Sequence, residues 1–330
     1  MSSIEASIEA TGHFIDAGKL AVIGGTAVAG LAAIDLVGAK LRWSNTEHRV
    51  DFCGERPANG AEHVWRFYPA HDHGSSEDAD KVMGPELLDA PPTYVAFPDR
   101  KPNLHKLGHV SAANLVQNNT YEVSSLGVSL GGVMALYDSL HWPEDVTFKR
   151  FICIDTPFNF DHLIPKQRRF VPNMNVEKQL AKALKFSGYR GGAIVSGIMA
   201  AALAEGSPTL LERAREGWNR VFGPESKSPE PWAQGLVWML EAEEDQPILQ
   251  RGFRNRITDD TFIAYVISGK DNRVNGEQGA NALQKLAGRP ITRLYVPDAE
   301  HADVLRHPEK YRAPLRQGLQ QHRRTLQLAA

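Results

Sequence analysis

The sequence predicts an α/β fold with a mostly parallel central sheet. Two observations carry this: short apolar runs that each end in a turn-former, and helical patterns lying between those runs. A third sets the scale. At 330 residues the chain is long enough for one large α/β domain plus an insertion, and its 42% apolar and 23% charged residues are those of a globular protein.

The strand-like runs come in order. Val64 to Tyr68 (VWRFY) ends at Pro69, and Tyr94 to Phe97 (YVAF) follows Pro91-Pro92 and ends at Pro98. Tyr121 to Gly127 leads into a glycine cluster, and Phe148 to Asp155 (FKRFICID) ends at Thr156-Pro157. Thr261 to Ser268 (TFIAYVIS) ends at Gly269, and Ile291 to Val296 (ITRLYV) ends at Pro297. Helical patterns occupy Gly132–Leu140, Glu277–Leu286 and Glu309–Arg324, the last with a basic, solvated face. Between Pro157 and Thr261 no strand of similar quality occurs. That stretch reads as helices broken at Gly223-Pro224 and Ser228-Pro229, and it includes Ala193 to Ala204, an apolar run too short to cross a membrane. The organisation expected is a leader over residues 1–45, a core over 46–157 and 259–330, and a helical insertion over 158–258.

Charge and cysteine content narrow the function. Lys plus Arg is 37 against 39 Asp plus Glu, a net of −2, without the basic excess that binding nucleic acid requires. Cys53 and Cys153 are the only cysteines, too few for a disulfide scaffold or a thiolate metal site, and Cys153 reads as a small buried hydrophobe. The chain has no P-loop and no G-x-G-x-x-G after a strand, so neither a nucleotide nor any other cofactor is expected. His71-Asp72-His73 reads as polar loop rather than as metal ligands, having no distant partner.

Leu20 to Ala39 (LAVIGGTAVAGLAAIDLVGA) holds one charge, Asp35, and one hydroxyl, Thr26. Twenty helical residues span about 30 Å, the thickness of a bilayer core. Lys19 and Lys40 bracket the run and Trp43 follows it. Opposing this, the run is rich in Ala and Gly, and Asp35 costs roughly 2.5–3.5 kcal/mol at a membrane centre. A single-pass anchor is the expectation, with the main domain cytoplasmic because Lys40, Arg42 and Arg49 outnumber Lys19. The alternatives are a helix of a soluble cytoplasmic protein and, given the acidic residues Glu5, Glu9 and Asp16 before the run, less readily a signal peptide.

Gly127-Val128-Ser129-Leu130-Gly131, followed by Gly132, is the most specific local signal. It follows a strand-like run and opens a helix-like one. A serine on so sharp a strand-to-helix turn sits in strained backbone, and crowding between its neighbours two residues before and after calls for glycine at both. The ordinary alternative is a glycine-rich turn with Ser129 capping the helix. With this word in place, the chain resembles the α/β-hydrolase fold family over roughly Arg49 to Gln321, with the leader outside the resemblance. That family carries its triad in the order Ser, acid, His. The matching positions are Ser129, Asp271 (in SGKDNRV) and His301 (in DAEHADV), each just past a strand. Asp155, also at a strand end, is the rival acid, and His307, before Pro308, reads as surface.

The resemblance implies a cofactor-free serine hydrolase. Histidine takes the serine proton at neutral pH, and the acid holds the productive imidazole tautomer. Two backbone N–H groups stabilise the oxyanion: Leu130, directly after the nucleophile, and Ala70 or His71 in the loop after Tyr68. That loop lacks the family's common His-Gly pattern. The 158–258 insertion resembles the family's cap, whose apolar helix and tryptophans would line a hydrophobic site. The expected substrate is a small or lipid-like carboxylic ester with an apolar acyl or aryl group. Thioesters, amides and acyl transfer use the same triad. The contrasting reading, a membrane-tethered binding or scaffold protein without turnover, sits poorly with an intact Ser129, Asp271 and His301.

Overall fold

The computed structural model describes residues 49–53, 57–70, 79, 81–84, 89–96, 104–164, 178, 181–182 and 238–329. The chain divides into two units, residues 46–175 with 238–330 and residues 1–45 with 176–237. Almost all described residues belong to the first. The Leu20–Ala39 segment, Ala193–Ala204 and most of the 158–258 insertion lie outside them. Among the described residues no helix is long and apolar enough to cross a membrane.

The first unit is built on a seven-stranded sheet. Its strands are β1 (Arg49–Phe52), β2 (His63–Tyr68), β3 (Pro92–Ala96), β4 (Glu122–Val128), β5 (Thr147–Ile154), β6 (Ile257–Ser268) and β7 (Thr292–Val296). The spatial order is β1-β3-β2-β4-β5-β6-β7. Only β1 runs antiparallel, at the edge beside β3; every other pairing is parallel. Among the described residues the helices beside the sheet include α1 (Leu104–Gln117), α2 (Leu130–Ser139), α3 (Gln246–Arg254), α4 (Gly276–Ala287) and α5 (Glu309–Ala329).

All six predicted strands are present, because runs such as FICI and FIAYVI are apolar at successive positions and suit strands buried on both faces. Alternate residues serve the two faces. Trp65, Phe67, Leu126, Val128, Ile152, Ile154, Ala264 and Val266 enter one core with Tyr311, Leu315 and Leu319 of α5. On the other face Phe148 and Phe151 meet Phe253 of α3, with ring centroids 5.6 and 4.6 Å away. Three elements carry no clear sequence signal. β1 is four residues long and half polar. α1 contains Gly, His, Ser and Asn, poor helix formers, and its place is set by packing on β1 and α2. α3 buries only Leu249 and Phe253. β6 also starts earlier than its apolar run, at Ile257, through the exposed Thr258, Asp259 and Asp260.

A buried polar network ties α2 to β2. The Arg66 and Asp138 side chains are fully buried and 3.3 Å apart. Asp138 Oδ2 also accepts from Tyr68 Oη at 2.5 Å and Ser111 Oγ at 2.8 Å, while Arg66 donates to Ser111 and, at 3.0 Å, to Asn114 Oδ1. Burial and the adjacent Asp138 carboxylate push the Tyr68 phenol upward, so it stays protonated and donates. Removing one partner of a buried pair leaves the other charged and uncompensated. Asp138→Ala is therefore expected to lower stability by about 3–5 kcal/mol, read as a fall in the urea midpoint.

Candidate active site

Five parallel strands deliver their carboxyl ends to one edge of the sheet, where α/β proteins form their sites. Ser129 follows β4, Asp155 follows β5, Asp271 follows β6, His301 follows β7, and Pro69-Ala70 follows β2.

Ser129 occupies φ 52°, ψ −126°, a conformation costly to any residue with a Cβ. Its N–H donates to Ile154 O at 2.8 Å, which ties the turn to β5. The glycines around it are required by close approach. A Cβ on Gly127 would lie 2.5 Å from Gly132 Cα, and one on Gly131 would lie 2.2 Å from Tyr68 O. The crowding is thus not simply between positions two before and two after the serine. Gly127 meets the backbone three residues past Ser129, while Gly131 meets the end of β2. Ser129 does not cap α2 with its side chain. Its Oγ lies 2.9 Å from His301 Nε2 instead.

His301 Nδ1 lies 2.8 Å from Asp271 Oδ2. A carboxylate oxygen accepts, so Nδ1 carries the hydrogen and Nε2 is left to accept from the Ser129 hydroxyl. Asp271 is oriented in turn by two backbone donors on its other oxygen, Arg273 N at 2.7 Å and Val274 N at 3.0 Å. The two loops are pinned together by Gly269 N to Val296 O at 2.9 Å and Lys270 N to Ala299 O at 2.8 Å. Ser129, His301 and Asp271, spread over 172 positions, therefore form one hydrogen-bonded line.

Leu130 N–H opens α2 beside the serine, and Ala70 follows the Tyr68-Pro69 backbone that touches Gly131. Among the described residues neither N–H is taken up by a hydrogen bond. His71, the other candidate donor, and His71-Asp72-His73 as a whole lie outside the described residues. His307 is exposed, beside Glu309.

Asp155, the rival acid, hydrogen-bonds Ser268 and Ala302 rather than His301. Burial, followed by the nearby Asp271 carboxylate, raises its carboxyl above the usual range, against the lowering effect of the Ser268 donors and His301. The ligand atoms of Asp155, Asp271 and His301 fall within 4.8 Å of one another, the only such grouping among the described residues. N–H and O–H donors already point at both carboxylates, which suits hydrogen bonding better than a cation. Cys153 is buried next to the turn, and burial pushes its thiol far up, away from nucleophile chemistry.

No family model and no curated protein sequence matches the chain. Solved structures do resemble it. An α/β-hydrolase fold protein from Burkholderia ambifaria is 18% identical, with 82% of this chain and 93% of that one covered and a TM-score of 0.44. Carboxylesterase work on Nitrososphaera gargenis contributes one at 12% identity, 85% and 96% coverage and a TM-score of 0.45. The enol-lactonase of Burkholderia xenovorans LB400 stands at 14%, 83% and 96%, and 0.45. What assigns the architecture is the chain's own strand order, the single antiparallel edge strand and the strained serine turn between β4 and α2. The fold is that of the α/β hydrolases.

Strain at Ser129 has a measurable consequence. Glycine adopts positive φ without the Cβ penalty, so Ser129→Gly is expected to unfold at a higher denaturant concentration than Ser129→Ala, by about 1 kcal/mol. Equal midpoints would mean that the turn holds no such strain.

Proposed function

We propose that this chain is a serine hydrolase that cleaves a carboxylic ester through an acyl-enzyme intermediate. The observation that carries the reading is the unbroken line from Ser129 Oγ to His301 Nε2 and from His301 Nδ1 to Asp271 Oδ2, at the carboxyl edge of the sheet.

The geometry suits the following sequence. Ser129 Oγ attacks the ester carbonyl carbon while His301 Nε2 takes its proton. The carbonyl oxygen becomes an oxyanion, stabilised by Leu130 N–H and a second donor, for which Ala70 N–H is the choice among the described residues. The tetrahedral intermediate collapses as His301 returns the proton to the departing alkoxide oxygen. An alcohol leaves and the acyl group stays on Ser129. Water then attacks the acyl carbon, giving its proton to His301, and the carboxylic acid departs as Ser129 Oγ recovers a proton. Asp271 keeps the imidazole in the required tautomer and stabilises the imidazolium of each step. An ester is favoured over an amide because an alkoxide leaves more readily than an amide nitrogen, while thioesters and acyl transfer call on the same triad.

Ser129→Ala is expected to abolish hydrolysis of p-nitrophenyl esters and labelling by a fluorophosphonate while the protein stays folded. Retention of wild-type turnover would exclude Ser129 as nucleophile. Asp271→Asn is expected to lower kcat by up to about 10⁴-fold through the wrong histidine tautomer; a larger loss in Asp155→Asn would move the acid to β5. We further propose that Leu20–Ala39 anchors the protein in a membrane, with its catalytic unit cytoplasmic. Full-length protein should then resist carbonate extraction from membranes, whereas a chain starting near Ser44 should be released and active.

A further inference from the structure

Asp155 is buried and lies next to the proposed triad without touching the serine or the imidazole in a hydrogen bond. Its backbone sits at φ 49°, the left-handed region that aspartate adopts more readily than most residues with a Cβ. Its carboxylate contacts come from the two chain segments that lead to Asp271 and His301. Asp155 Oδ1 accepts from Ser268 N at 3.0 Å, and Oδ2 accepts from Ser268 Oγ at 2.6 Å. Ser268 ends β6, three residues before Asp271. Oδ2 also accepts from Ala302 N at 3.2 Å, and Ala302, directly after His301, is itself held at φ 55°. Ser268 Oγ lies 2.8 Å from Tyr311 Oη, which extends the chain to α5. With the Ser268 hydroxyl donating to Asp155, the tyrosine hydroxyl donates to Ser268.

We propose that Asp155 is a positioning residue: its carboxylate clamps the loop after β6 to the loop after β7, and so keeps Asp271 within hydrogen-bond reach of His301. This rests on the hydrolase reading above for its catalytic meaning, but the clamp itself is a matter of loop geometry. The need for it is physical. Asp271 and His301 both lie on turns outside the sheet, and a 2.8 Å bond between two turns tolerates little relative movement. A misplacement of about 1 Å at a catalytic group costs on the order of 10²-fold in rate. The backbone bonds Gly269 N to Val296 O and Lys270 N to Ala299 O join the loops ahead of Asp271 and His301, and the exposed pair Lys270–Asp298, at 2.9 Å, contributes little. The buried carboxylate, taking three donors, is the side-chain tie that reaches Ala302 on the far side of His301. Burial, the largest influence on Asp155, opposes its charge, so the three donors are what make an ionised carboxylate tenable there.

The experiment compares wild-type protein with Asp155→Asn, Ser268→Ala and Tyr311→Phe by two readouts. One is p-nitrophenyl ester kinetics. The other is the low-field proton resonance of His301 Nδ1–H, assigned by its loss in His301→Ala. Asparagine matches the shape of Asp155 but cannot accept on both terminal atoms. The expected result for Asp155→Asn is a fall in kcat of about 10²-fold with KM within about twofold, and a low-field proton broadened or lost by exchange although the protein is folded. Tyr311→Phe, which removes only the outermost link, should lie between this and wild type. A folded Asp155→Asn with wild-type kcat and an unchanged resonance overturns the clamp. Should Asp155→Asn fail to fold, Ser268→Ala decides: a weakened resonance with a lower kcat supports the clamp, and wild-type values of both overturn it. A wild-type protein without Ser129-dependent turnover defeats the hydrolase reading alone, since the resonance still reports whether Asp155 holds His301 to Asp271.

Discussion

Ser129 is held at φ 52° by contacts from three directions, and the rest of the site is arranged around that turn. Its N–H is taken by Ile154 O of β5, Gly127 lies against Gly132, and Gly131 lies against the backbone of Tyr68 and Pro69. A conformation that costs an L-residue on the order of 1–2 kcal/mol survives because these backbone approaches leave no room for another. The consequence is a hydroxyl thrown clear of the helix it precedes. A serine at a relaxed helix start would turn its Oγ back onto the first free N–H groups. Here that hydroxyl faces His301, and Leu130 N–H is left beside it.

Two buried carboxylates hold the surroundings of the turn, one on each side. Asp138, in the helix that follows Ser129, receives Tyr68 Oη and Arg66, so the helix is fastened to the strand that leads to Ala70. Asp155 receives Ser268 and Ala302, so the strand ends that lead to Asp271 and His301 are fastened to each other. Buried charge is costly unless it is paired and hydrogen-bonded; both oxygens of Asp155 take donors, whereas on Asp138 the donors gather on Oδ2 and Oδ1 takes none among the described residues. Exposed pairs at the same edge, such as Lys270 with Asp298, add little by comparison.

The strands were legible because apolar runs bounded by Pro, Gly or Asp-Thr-Pro leave few alternatives for segments four to eight residues long. β1 and α1 were not. RVDF has neither length nor apolar continuity, and LHKLGHVSAANLVQ has low intrinsic helicity, so each depends on what it packs against. The glycine word was recognised, but the partner of each glycine was not. That Gly131 meets Tyr68 is a contact across 63 positions, and no local rule predicts it.

The sequence by itself determined the strand-turn-helix at Ser129, the strand-end positions of Asp155, Asp271 and His301, and a composition without basic excess or cysteine frameworks. Those follow from local periodicity and turn chemistry. Tertiary structure alone decided which strand-end aspartate meets the imidazole. Asp155 and Asp271 end neighbouring strands, and the sequence favours Asp271 through its match to the family's pattern while keeping Asp155 as the rival. Sheet order places β6 between β5 and β7, so the loop after β6 is next to the loop bearing His301, while Asp155 sits one strand further away and is engaged by Ser268. The distance between residues 30 and 146 positions apart is set by strand adjacency, a property of the assembled sheet and not of any segment of the chain.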